Sequence, residues 1–95
     1  MAEQALAQVA RAGVDGFLVH VDADALDDEL MPAVDYRIPD GLRRDEFSTL
    51  VGTLLADRRA AALDVTVYNP ALDPDGTAGR NLTACLIDAF AHARS

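Results

Sequence analysis

Asp22 and Asp24 are the residues of this chain best suited to chemistry. They close the stretch Gly16-Phe17-Leu18-Val19-His20-Val21 and are separated by a single alanine. A short apolar run rich in β-branched residues predicts a strand buried on both faces. The two carboxylates would then lie at or just past its carboxyl end, the edge at which open α/β sheets bind ligands. In extended backbone, side chains two residues apart project to the same side, so the pair would repel unless a cation lay between them. Carboxylate oxygens are hard donors that suit Mg or Mn.

Other chemistry-bearing types are sparse. Asp27 and Asp28 follow the pair, and Asp27 reads as a loop or capping acid. His20 alternates with Val19 and Val21 and reads as a partly buried structural histidine; His92 falls near the chain's end, where a helix-terminal or exposed role is expected. Cys85 is the only cysteine, so no intramolecular disulfide forms, and its neighbours offer no base to activate a thiol. Tyr68, Asn69 and Pro70 end a second apolar run, and Asn69 before proline suits a local backbone cap.

These residues need elements to position them. Ala2 to Ala12 has helical spacing of Leu6, Val9 and Ala10, with Gly13 as a stop. Asp22 to Gly41 reads as a loop of about twenty residues, and loops that long in compact domains are usually functional or disordered. Arg43 to Arg59 predicts a helix, because Phe47, Leu50, Val51, Leu54 and Leu55 form one apolar stripe. Asp45 and Glu46 at its start and Arg58 and Arg59 at its end suit the helix dipole. Ala60 to Tyr68 predicts a second strand. Asp73-Pro74-Asp75-Gly76 is a turn, and Thr77 is placed to N-cap a last helix with the stripe Leu82, Cys85, Leu86, Ala89 and Phe90.

The order is α-β-α-β-α. Two strands joined through a helix should run parallel with a right-handed crossover, which makes the fold class α/β, a three-layer α-β-α fragment. Two parallel strands alone leave both edges open, as in a piece cut from a larger sheet.

Composition narrows the partners. The chain has 95 residues, 51% of them hydrophobic, with sixteen acids against eight bases and a formal net charge of −8; every base is arginine. That balance argues against nucleic acid and anionic membrane as partners, since both need positive potential. No apolar stretch approaches the ~20 residues that span a bilayer, and the N-terminus lacks the pattern of a signal peptide. The cytoplasm is the expected location.

The landmarks together carry a resemblance. Val19-His20-Val21-Asp22-Ala23-Asp24-Ala25-Leu26-Asp27-Asp28 is followed by Met31-Pro32-Ala33, Ile38-Pro39-Asp40-Gly41-Leu42 and Val67-Tyr68-Asn69-Pro70-Ala71-Leu72-Asp73. In order and spacing this resembles the ureohydrolases (arginase, agmatinase and formiminoglutamase). That superfamily has a strand ending in Asp-x-Asp-x-x-Asp-Pro, a Pro-Gly-Gly-Leu-like loop, an amphipathic helix, a strand ending in Glu-x-Asn-Pro, and a terminal helix. The resemblance spans nearly the whole chain and implies that residues 1–95 are the C-terminal portion of an arginase-like domain. It implies that Asp22 and Asp24 are metal ligands, that the cofactor is a pair of Mn ions, and that the substrate is a small guanidino or amidine molecule.

The departures are equally specific. Asp28 stands where the family has proline and Asp40 where it has the first glycine of Gly-Gly-Leu. Val67 replaces the glutamate that in the family pairs with the substrate guanidinium, with only Asp64 or Asp73 near enough in sequence to substitute. The family's Gly-Gly-Asp-His and Asp-Ala-His-x-Asp elements, which supply the other metal ligands from upstream, do not occur here. The chain alone is therefore expected to be inactive. Two further readings stand beside this one. The chain could be a catalytically inactive relic or interaction module, forming a homo-oligomer or pairing with a missing N-terminal part. Asp-x-Asp also holds a metal–diphosphate in nucleotide-sugar transferases, although no phosphate-cradling glycine-rich loop is present.

Overall fold

A computed structural model describes residues 1–37 and 39–95. Helix α1 spans Ala2–Ala12 and turns Leu6 and Val9 inward. It ends where Gly13 takes the left-handed conformation (φ 71°) and donates its N–H to the Ala10 carbonyl, the C′ role for which glycine carries no Cβ penalty. Strands β1 (Phe17–Asp22) and β2 (Ala60–Thr66) pair in parallel, with Val19 opposite Leu63, His20 opposite Asp64, Val21 opposite Val65 and Asp22 opposite Thr66.

Helix α2 spans Arg44–Ala56. The Glu46 carboxylate accepts the Arg43 N–H at 3.0 Å, closing the first turn. The helix stops short of the expected Arg59 because Asp57 leaves the helical region and its carboxylate accepts the Arg59 backbone N–H and guanidinium, each at 2.9 Å. Helix α3 spans Thr77–Ala93, and Gly76 rather than Thr77 holds the N-cap position. The opening N–H groups are taken by two upstream carboxylates instead: Asp75 accepts from Thr77, and Asp73 accepts from Ala78 and Gly79. This satisfies donors that no intrahelical carbonyl can reach.

The core joins Val19 and Val21 of β1 to Phe47 and Val51 of α2 and to Ala78, Leu82, Cys85 and Ala89 of α3. Phe90, expected in the α3 stripe, is exposed. The helices α2 and α3 come into close contact at Gly52, where a Cβ would lie 2.7 Å from the His92 Cβ and 2.8 Å from the Ala89 carbonyl oxygen.

The α-β-α-β-α order and the parallel pairing agree with the reading of the sequence. The burial of β1 differs from it. Val19 and Val21 are buried, but Leu18 is 55% exposed and His20 is exposed as well, so the strand is covered on one face only. On β2 the matching face carries Ala62, Asp64 and Thr66, all exposed. An apolar run alone cannot distinguish a strand covered twice from one covered once.

The segment after β1 is more structured than a free loop. A 3-10 turn, η1, occupies Ala23–Ala25, and Leu26 and Leu42 form a parallel bridge with Leu42 N–H donating to the Ala25 carbonyl and Asp27 N–H to the Leu42 carbonyl, both at 2.9 Å. Gly41 allows this approach; a Cβ there would lie 2.8 Å from three backbone atoms of residues 25–27. Asp40 beside it has φ 60°, a left-handed conformation that aspartate tolerates better than most residues. That explains how an aspartate can stand where the family resemblance expects glycine. Met31, Ala33 and Val34 pack into the core and pin the rest of the segment. Ile38, which opens the Ile38-Pro39-Asp40-Gly41-Leu42 stretch, lies outside the described residues.

Candidate metal centre

Asp22 ends β1 and is about half exposed. Its Oδ1 accepts the Thr66 hydroxyl at 2.7 Å and lies 2.8 Å from His20 Nε2. The other ring nitrogen, Nδ1, lies 2.6 Å from Asp64 Oδ1. These four side chains follow from the register, which sets His20 across from Asp64 and Asp22 across from Thr66 on the uncovered sheet face. A neutral imidazole has one donor nitrogen. With a carboxylate at each nitrogen, the geometry suits the doubly protonated ring. The bond to Asp64, with a smaller contribution from Asp22, holds the His20 pKa above its ordinary value, and Thr66 followed by His20 holds the Asp22 carboxyl below its own.

Asp24 is half-buried within η1. It leaves the extended geometry that would have projected it alongside Asp22, because the chain turns into the 3-10 conformation directly after the strand. Asp27 accepts the Glu29 N–H at 3.3 Å, a local turn contact. His20 is not the partly buried histidine expected from alternation; it is exposed, hydrogen-bonded through Nδ1 to Asp64, with Nε2 within ion-pair distance of Asp22. His92 is exposed in the last turn of α3, with Nε2 3.4 Å from the Thr53 hydroxyl. Cys85 is fully buried, and burial pushes its thiol pKa up.

At the end of β2, Val67 adopts φ 78° and is exposed. A β-branched residue at positive φ is unusual and strained. The Tyr68 hydroxyl donates to Asp73 at 2.6 Å, which raises the phenol pKa and, together with the α3 N–H groups, lowers that of Asp73. Asn69 caps the short turn η2 (Pro70–Leu72) by accepting the Ala71 N–H, and its backbone N–H and side chain reach Ala33 and Asp35 across the site edge. With Asp64 engaged by His20 and Asp73 by Tyr68 and α3, neither carboxylate is free to replace the charge absent at Val67.

For a divalent cation the donors match in kind and fall short in number. Asp22 and Asp24 offer hard oxygens. Among the described residues no group of three or more His, Cys, Asp or Glu side chains is arranged to hold a metal ion.

A profile described as Arginase family matches residues 1–92. The chain belongs to the arginase family. Its fold is close to that of an Entamoeba histolytica arginase (16% identity, TM-score 0.77, covering 94% of this chain and 31% of that one). It is similarly close to a formimidoylglutamase from Bacillus subtilis (24%, 0.78, 94% and 28%) and a Helicobacter pylori arginase (25%, 0.73, 98% and 33%). The chain thus spans about a third of the length of these arginase-family structures. No curated protein matches it by sequence. No helix among the described residues is long and apolar enough to cross a membrane.

Thr66 is the site residue that the sequence did not single out. Its signal was present in the β2 alternation Ala62, Asp64, Thr66, but only the register reveals which β1 residues those positions meet.

Proposed function

We propose that Asp22 and Asp24 are the Asp-x-Asp half of a binuclear manganese site in an arginase-family hydrolase of linear guanidino or amidine C–N bonds. In this reading the chain is the C-terminal portion of the domain and works in the cytoplasm, with the remaining ligands supplied from outside residues 1–95. The observation that supports it is Asp22 at the carboxyl end of a parallel strand, with Asp24 two residues on in the turn that follows, within an Arginase family match. When bound, the metal pair lowers the pKa of a water enough for it to attack an electron-poor carbon near neutral pH. The residues of this chain hold part of the positive charge through Asp22 and Asp24. Val67 leaves a guanidinium substrate without a carboxylate partner, which favours a substrate whose reacting end is less cationic.

Two aspartates do not complete the coordination sphere of two divalent ions, so the isolated chain is inactive. The test is Mn-dependent hydrolysis of arginine, agmatine and formiminoglutamate by the purified chain, alongside Mn titration followed by amide NMR. No turnover, with line broadening centred on residues 22–24 and lost in Asp24→Ala, is the expected result. Turnover abolished by Asp24→Ala refutes the inactivity, and absence of localised broadening refutes the metal assignment.

A non-enzymatic reading has its own observation, the uncovered sheet face on which Leu18 stands exposed beside two open strand edges. It takes the chain as an interaction module that self-associates or pairs with an N-terminal part. Gel filtration decides self-association: a clean monomer at micromolar concentration removes the homo-oligomer.

A further inference from the structure

The sheet has two strands, so among the described residues the outer edge of each carries backbone N–H and C=O groups with no partner strand. The two edges differ. That of β1 is flanked by α1, whose Leu6 and Val9 lie beside Phe17 and Val19. That of β2 opens onto a groove of about 570 Å³, lined by Leu55, Ala60, Ala61, Leu63, Phe90 and Arg94. Phe90 is exposed, and so is Ile87, one turn earlier on the same side of α3. An open strand beside large exposed apolar side chains is a surface that stable monomers avoid.

The sequence of β2 suits pairing with itself. In an antiparallel pair centred on Leu63, Leu63 meets Leu63 of the second copy, Asp64 meets Ala62, and Val65 meets Ala61. Small residues then oppose larger ones, and the strand's only charge faces a methyl group instead of another carboxylate. Ala61 is passed over in the register with β1, so the regular part of the new ladder is residues 62–64 of each copy.

Charge favours the same direction. The amino end of the sheet carries Arg58 and Arg94, both exposed and outside the arginine ion pairs, which belong to Arg37, Arg44 and Arg59. The carboxyl end carries Asp22 and also Asp35, which accepts from the Asn69 side chain just after β2. Antiparallel pairing turns each basic end toward an acidic one. In the register centred on Leu63, Arg58 falls level with Tyr68 of the second copy, next to that Asn69.

We infer that the outer edge of β2, with Ile87 and Phe90, is the docking surface for a second copy of this chain, paired antiparallel about Leu63 into one continuous sheet. This rests on the self-association reading above and names its surface.

The experiment is sedimentation of the full chain from micromolar to millimolar concentration, with far-UV circular dichroism to follow the fold. Wild type should pass from monomer to dimer across that range. Ala62→Glu sets a carboxylate opposite Asp64 on each side of the axis and should weaken dimerisation about tenfold. Ala62→Lys sets opposite charges there and should not weaken it. Ala7→Glu adds the same charge on an exposed position of α1 and should match wild type. If Ala62→Glu loses its fold, Phe90→Ser takes its place and is held to the same expectation. A dimer that Ala62→Glu weakens no more than Ala7→Glu does, or that Ala62→Lys weakens equally, overturns the β2 edge while leaving self-association standing. A chain that stays monomeric throughout overturns both.

Discussion

Replacing Gly52 by alanine should destabilise the protein, even though it removes a glycine from a helix interior. Taken alone, the exchange favours alanine by about 0.5–1 kcal/mol, since glycine gives up more backbone freedom on folding. The position, however, is where α2 and α3 touch. The added Cβ would stand 2.7 Å from both Cβ and Cδ2 of His92 and 2.8 Å from the Ala89 carbonyl oxygen. Carbon contacts are comfortable at about 3.5–4.0 Å, so relief requires the two helices to separate. Because the Ala89 oxygen belongs to the α3 backbone, no rotamer change provides that relief. Overpacking of this kind costs about 1–3 kcal/mol, which outweighs the propensity gain and leaves a net loss of about 1–2 kcal/mol. For a domain of this size that lowers Tm by roughly 5–15 °C. Thermal and urea unfolding followed by far-UV circular dichroism would measure it. A raised Tm would refute the reasoning, because propensity would then have won over packing. His92→Ala in the same background removes Cδ2 but keeps Cβ and the Ala89 carbonyl, so it should restore only a minor part of the loss. Full restoration would assign the clash to the imidazole instead of the backbone approach.

Gly41→Ala should disrupt the bridge between Leu26 and Leu42, since its Cβ meets only backbone atoms, at 2.8 Å; faster hydrogen exchange at the Asp27 and Leu42 amides would show it, and unchanged protection would refute it. Acid stability should depend on Asp57, whose pKa Arg59 lowers to about 2 through side-chain and backbone hydrogen bonds. Its folded pKa lies below the ordinary carboxylate value, so its contribution is present above that value and is lost as pH falls toward about 2. Asp57→Asn should therefore flatten the fall of the urea midpoint between pH 5 and pH 2, and an unchanged slope would count against the pairing. Cys85, fully buried in the core, should react with a thiol reagent only as the protein opens, so its rate should rise with urea in step with unfolding. Rapid modification of native protein would place the thiol outside the core.

The elements were legible wherever local chemistry decided them. Gly13 ended α1 because its left-handed turn is local, and the stripe through Phe47 and Val51 marked α2 because helical periodicity is local. The strand ending at Asp22 was legible for the same reason. The environment of Asp22 was not, because His20 meets Asp64, and Asp22 meets Thr66, at a sequence separation of 44 residues. Sequence patterning marks which positions share a face but not which strand positions stand opposite each other. The cap of α3 was misread in a related way. Thr77 has the right residue type for the N-cap, but Asp73, buried and oriented by Tyr68, reaches the Ala78 and Gly79 N–H groups first.

The sequence argument for a cation began from repulsion between two neighbouring carboxylates, and the fold changes that argument. Asp22 already has the His20 imidazole beside its Oδ1 and a hydroxyl donor in Thr66. Asp24 is turned into η1, out of the extended geometry that would have crowded the two. Relief of repulsion therefore does not require a metal, and an acidic pair at a strand end cannot by itself identify one. The metal proposal therefore rests on the position of Asp22 at the carboxyl end of β1 within an Arginase family match, not on electrostatic strain between the two acids. The same logic separates Asp22 from the other acids of this −8 chain. Asp57, Asp73 and Asp75 spend their carboxylates on neighbouring N–H and hydroxyl groups. Those acids close turns and cap helices, whereas Asp22 ends β1 on the uncovered sheet face and accepts its hydrogen bond from the Thr66 hydroxyl of the neighbouring strand.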